Sequence, residues 1–191
     1  MKNNREIAKY QTFNKIITSA KEVIIKKGII NLKTLDVAKK ANIAHGTLFS
    51  HFQTKDVLVS EICQTELKNI AVRLKEITRN QQINIASLLE KYLSLVAENE
   101  AFYIIIAKEF PFLSKPIQES IISNEVIIRN ILYQKIEQGN YNVANITMTI
   151  SFFFATVNYY LSRKEYFESG KGGLMNEKKN DIISTFLKLL T

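Results

Sequence analysis

Across 191 residues there are only six glycines and two prolines, and no stretch alternates Val or Thr with polar residues. Tight strand reversals draw on Gly, Pro and Asn at special positions, so this chain has few places to build hairpins. Its apolar residues recur instead at three- and four-residue steps, the period of a one-faced helix. The expectation is an all-α fold. The length is enough to bury a sizeable core as one large domain or two modest ones.

Taken in order, the spacing predicts nine helices and no repeat. The first runs from about Arg5 to Lys27 on Phe13, Ile16, Ile17, Ala20, Val23 and Ile24, and Gly28 closes it. Thr34 can cap a short second helix whose Leu35, Ala38 and Ala41 face inward, with Val37 partly so. Asn42 tolerates the left-handed backbone that ends such a helix, and Ile43 plugs the turn. A third short helix, about 44–52, buries Leu48 and Phe52. Thr54 can cap a long helix to about Arg79, marked by Leu58, Ile62, Ile70, Leu74 and Ile77. The next carries Ile85, Leu88, Leu89, Tyr92, Leu93 and Val96. Residues 101–110 are apolar nearly all round and end at Pro111, and Pro116 suits the first turn of the following helix. A single long helix is expected over 143–167, a flexible segment over 169–175, and a last helix over 176–190.

Charge is distributed unevenly. Residues 1–60 hold eleven Lys or Arg against four acids, a net of +7 within a whole-chain +8. A basic first third suits a polyanion partner, because phosphate neutralisation releases counterions; a merely solvated basic surface is the alternative. The single cysteine, Cys63, excludes an internal disulfide framework and a cysteine metal cluster. His45 and His51, six residues apart on a helix, point about 240° apart and cannot share a metal. No apolar signal core opens the chain, and its greasiest stretch, 150–161, is too short to span a bilayer. A cytoplasmic protein without membrane contact, metal or cofactor is expected.

The segment 34–55 has the layout of a helix-turn-helix: short amphipathic helix, three-residue break, second short helix rich in small and hydrogen-bonding groups. Gly46 within that second helix costs about 1 kcal/mol relative to Ala, so something should approach closely there, either a DNA backbone or a neighbouring helix. The residues Ala20, Gly28, Thr34, Leu35, Val37, Ala38, Ala41, Ile43, Ala44, Gly46, Thr47, Leu48, Phe49, His51, Phe52 and Lys55 stand in the order of a known pattern. Over roughly residues 10–60 the chain resembles the TetR family of bacterial transcriptional regulators. Three positions depart from that pattern. Asn42 replaces the usual turn Gly, Ala44 replaces a common Ser or Thr cap, and Phe49 replaces a Tyr whose hydroxyl typically reaches a phosphate.

The resemblance implies a helix-turn-helix DNA-binding domain over 1–55 and a helical ligand-binding and dimerisation domain over 56–191. It implies a homodimeric repressor, released from a pseudo-palindromic double-stranded operator by a hydrophobic small molecule. His45 and Thr47 become candidate base readers, with Gly46 admitting the helix to the groove. Lys33, Thr34, His51 and Lys55 become candidate phosphate contacts, with Ala44 and Phe49 in the same interface. His51 could instead pack against the first helix.

For the effector, Tyr92, Phe102, Tyr103, Phe110, Tyr133, Phe152 and Tyr159 offer an aromatic lining, and Glu109, Arg129 and Asn158 offer polar anchors. Plain core packing would use the same aromatics. Ile146, Ile150, Phe153, Val157, Ile183, Phe186 and Leu190 form the candidate dimer face, although they could equally pack inside one chain. No nucleophile-base arrangement, phosphate loop or paired acids argues for an enzyme. The alternative kept open is a helical architectural DNA-binding protein without a ligand switch.

Overall fold

The computed structural model describes residues 4–80, 82–170 and 172–191, which are helical with no strand among them. Ten α-helices follow one another: α1 (Asn4–Lys27), α2 (Thr34–Lys40), α3 (His45–His51), α4 (Lys55–Asn80), α5 (Ile85–Glu98), α6 (Glu100–Glu109), α7 (Lys115–Gln138), α8 (Ile146–Ser162), α9 (Lys164–Phe167) and α10 (Leu174–Leu187). Short 3-10 turns follow α6 (Phe110–Phe112) and α10 (Lys188–Leu190).

The count differs from nine because the segment expected as one helix over 143–167 divides. Asn145 caps α8 through its side chain, which accepts the Met148 amide, and the backbone leaves helical geometry at Arg163 (φ −125°, ψ 31°). Turn chemistry acts as the sequence implies elsewhere. Gly28 takes φ +82° at the end of α1 and Asn42 takes φ +49° between α2 and α3. Thr54 does cap α4, accepting the Val57 amide at 3.2 Å.

Two expectations in the head need correction. Thr34 is the first residue of α2 and not its cap; Lys33 holds that position with no side-chain hydrogen bond. Leu35 is 47% exposed, whereas Val37 is fully buried with Ala38 and Ala41. At 100° per residue Leu35 lies about 200° from Val37, so a helix this short cannot bury both.

Helices α1 to α3 form the head, with α1 lying against α2, α4 and α6. Behind it, α4 and α7 make the most extensive pairing in the chain. The Ser120 hydroxyl donates to the Ser60 carbonyl near their first turns, and Lys75 and Gln134 share a cleft near their last, so the two helices run parallel. Helix α10 packs on α5 and α8, and α6 packs on α8. One continuous core runs from Ile16 to Leu190. At its centre Phe153 meets Tyr92, Phe154 and Phe186 with ring centroids 5.7, 5.6 and 5.3 Å away. Burying such a side chain is worth about 3–5 kcal/mol against alanine.

Candidate nucleic-acid interface and effector cavity

Helix α3 is held from behind by Leu48, fully buried, and by Phe52, whose ring lies 5.4 Å from Phe13 of α1. That leaves Ala44, His45, Gly46, Phe49 and Ser50 exposed and Thr47 half-exposed on the outer side. A Cβ added to Gly46 would meet nothing within 4 Å. No neighbouring helix explains this glycine, so the room it leaves opens outward. The Ala44 side chain makes no capping hydrogen bond, as its lack of a hydroxyl dictates.

His45 is fixed from two sides. Its Nε2 shares a 3.0 Å hydrogen bond with the Thr34 hydroxyl, and the Phe49 ring meets its ring edge-on at 4.7 Å. The sequence shows Phe49 only as a lost hydroxyl; one helical turn after His45, it braces that ring instead. Rotamers locked in this way present a reader group in one orientation. His51 is half-buried beside Phe52, rings 6.3 Å apart. Lys33 is exposed. Lys55 Nζ donates to the Ile30 carbonyl at 2.8 Å, so it holds the α1–α2 loop and keeps two further N–H donors. The basic residues of the head divide. Lys21, Lys27 and Lys40 pair with Glu66, Asp36 and Glu22 at 2.6–2.7 Å. Arg5, Lys9, Lys15, Lys26, Lys33 and Lys39 are exposed and join no ion pair among the described residues.

In the larger body, a cavity of about 40 Å³ lies between α4, α5, α6, α7 and α8. Tyr92, Tyr103 and Asn158 of the expected lining reach it, joined by Leu67, Val96, Ile106, Ile121, Glu125, Ile128, Phe154, Val157 and Leu161. Burial pushes the phenols of Tyr92 and Tyr103 well above their ordinary range, with Glu125 adding to the first and Glu66 to the second. Arg129 stands at the edge, pairing with Glu125 at 2.6 Å and lying 4.3 Å over the Phe154 ring. The remaining expected residues lie elsewhere. Phe102 packs under Lys21 of α1 and Phe110 is part-buried after α6, while Tyr133, Phe152 and Tyr159 face outward. Aromatic type alone does not say which side of an apolar helix faces the centre.

The expected dimer residues are likewise inside. Ile150, Phe153, Val157, Phe186 and Leu190 are buried in the chain's own core, and Ile146 and Ile183 are half-buried. What α8 and the turn after α10 leave outside is a different stripe: Met148, Phe152 (55% exposed), Tyr159 and Leu189. A groove of about 140 Å³ runs along it, between Phe152 and Thr156 on one side and Thr185 and Leu189 on the other.

Helix α6 ties these regions together, and both of its ends carry an acid. At its last residue, Glu109 Oε2 accepts the amides of Ile29 and Ile30 at 2.8 and 2.9 Å. A Cβ on Gly28 would collide with this carboxylate, which is why the loop needs glycine for space as well as for its positive φ. Glu109 is therefore a clasp on the head and not an effector anchor. At the first residue, Glu100, 9% exposed, accepts the amides of Leu174 and Met175 at 3.2 and 2.7 Å beside Gly173 (φ +85°), with Lys164 3.3 Å away. Glu100 was missed from sequence; two acids bracketing a ten-residue apolar helix are the only trace of this arrangement.

Comparison with known proteins agrees with this fold. Residues 16–62 match the family model described as bacterial regulatory proteins, tetR family. The fatty acid metabolism regulator protein of Bacillus subtilis is 22% identical over 182 residues, covering 90% of this chain and 88% of the relative. The crystal structure of transcriptional regulator FadR from Bacillus subtilis, in complex with stearoyl-CoA, superposes with a TM-score of 0.78 at 18% identity, covering 94% of this chain and 100% of that one. The reduced form of NemR from E. coli gives 0.77 at 11% identity, over 95% of this chain and 97% of that one. Over residues 16–62 the chain matches the tetR family of bacterial regulatory proteins, and over nearly its whole length it shares the fold of these solved regulators.

Proposed function

We propose that this chain is a homodimeric, operator-binding repressor of the cytoplasm, not an enzyme, whose head (1–55) is released from DNA when the body (56–191) takes up a long-chain acyl thioester. The observation that carries the DNA reading is the outer face of α3: an open Gly46 between a braced His45 and a half-exposed Thr47, in the most basic part of the chain. Such a face fits a major groove, with His45 and Thr47 at base edges and Lys33, Thr34, Ala44, Phe49, His51 and Lys55 along the phosphates. A dimer sealed through the Met148, Phe152, Tyr159 and Leu189 stripe would present two heads to a pseudo-palindrome.

The effector class is suggested by the relative seen with stearoyl-CoA and by the apolar lining of the central cavity. At about 40 Å³ that cavity has room for little more than a water, so a chain enters only by parting the helices around it. Tyr103 and Ile106 of α6 line the cavity and Glu109 lies one turn further on, so parting the helices pulls the clasp on the α1–α2 loop. A ligand that favours the parted state shifts the heads away from the half-site spacing.

Selection of bound sequences from a random DNA pool tests the reading. A preferred site should exceed random DNA by ~10³ or more. His45→Ala and Thr47→Ala should relax that preference, whereas Lys33→Ala should weaken all sequences alike. Binding with no sequence preference would indicate an architectural protein instead. Light scattering should give twice 22.0 kDa, falling to 22.0 kDa in Phe152→Glu.

A further inference from the structure

At the far end of the body, where the parallel α4 and α7 both finish, a cleft of about 340 Å³ is lined by Lys75, Arg79 and Lys135 with Gln134 and Gln138. None of the three cations joins an ion pair among the described residues. Glu76 and Glu137, the nearest acids along the two helices, do not line it. Lys75 and Arg79 stand four residues apart on one helix, a like-charge spacing that costs a few tenths of a kcal/mol unless an anion joins them. Two helix carbonyl ends together carry only about one negative charge, so three cations exceed what the dipoles ask for. The surplus is local, because residues 61–191 hold 15 bases against 14 acids.

The cleft and the effector cavity are both built on α4 and α7. Ile128 lines the cavity and Ile131 lines the cleft, about 4.5 Å apart along α7. A second opening of about 340 Å³ continues past Lys135 and Gln138 to Tyr141, whose ring lies over Gly139. We propose that this cleft binds the phosphorylated, nucleotide-bearing head of the effector, with Lys75, Arg79 and Lys135 on the phosphates, while the acyl chain enters between α4 and α7 toward the cavity. The proposal rests on the acyl-thioester reading for its tail but not for its anion site.

Calorimetry on the full chain tests it with stearoyl-CoA, S-stearoyl pantetheine (which lacks phosphate) and coenzyme A alone. The wild type should prefer stearoyl-CoA over the pantetheine thioester by roughly 30-fold, a preference that fades with added salt. K75Q/R79Q/K135Q should erase the preference and leave pantetheine-thioester binding and melting temperature unchanged. A preference that survives the triple substitution overturns the cleft and leaves the acyl reading standing. Coenzyme A binding that the triple substitution abolishes, with stearoyl-CoA no tighter than coenzyme A and no binding of S-stearoyl pantetheine, supports the cleft and sinks the acyl reading. If the wild type binds none of the three, both fail.

Discussion

The two ends of α6 perform the same act in different surroundings. Each places a carboxylate on two successive backbone amides beside a glycine with positive φ. Glu100 does so in the interior with Lys164 beside it, whereas Glu109 does so at the part-buried edge of the head and joins no ion pair among the described residues. A charge-assisted bond that water cannot replace holds firmly; one at a wet edge exchanges with solvent more cheaply. The α10 joint is therefore the fixed bearing and the head joint the moving one. On the proposed function, the second is the joint that would transmit the signal.

Substitutions at the two ends test that ranking. The largest effect belongs to Glu100→Ala, which strands two buried amides and leaves Lys164 only its Glu168 partner: about 3 kcal/mol, or roughly 6–12 °C in Tm by calorimetry. A loss no larger than that of Glu109→Ala would reverse the assignment of fixed and moving ends. Next comes Gly28→Ala, which combines positive-φ strain with expulsion of the Glu109 carboxylate, at about 1–2 kcal/mol. Glu109→Ala should cost less in Tm but should cut the coupling between effector and operator by about tenfold, read as the ratio of operator affinities with and without effector.

Alkaline pH addresses the middle of the same region. Burial pushes the Cys63 thiol from its ordinary 9.0 up to about 12, with Glu66 adding to the shift, and raises Tyr92 and Tyr103 likewise. A raised acid stabilises the fold fully below its unfolded value and less as pH rises toward its folded one. Denaturant midpoints should therefore fall from about pH 9 upward, less so in Cys63→Ala, and Cys63 should alkylate only on unfolding. The smallest effect is expected at Asp36, half-buried on α2, whose pairing with Lys27 holds its carboxyl below the usual carboxylate range. Its contribution is present above the ordinary carboxylate value and is lost as pH falls; Asp36→Asn should barely move Tm at pH 7.

Much of the head was legible because its constraints are local. Gly28 and Asn42 marked backbone conformations that few other residues adopt, and Leu48 and Phe52 fell four apart on one face. The body was legible in its helices but not in its faces. Helix α8 is apolar on most sides, so its pattern leaves open whether Phe153 or Phe152 turns inward, and the structure turns Phe153 in. Leu35 misled for the same reason on a seven-residue helix. Glu109 was visible only as an acid among apolar residues, because its partners are main-chain amides about eighty residues away that no side-chain pattern encodes.

Operator affinity with and without stearoyl-CoA, measured on the wild-type protein by fluorescence anisotropy, tests the account at its centre. Coupling between cavity and head predicts that saturating stearoyl-CoA weakens operator binding by roughly 10- to 100-fold, and that Glu109→Ala loses most of this response. Stearoyl-CoA that binds the protein and leaves operator affinity unchanged would contradict it.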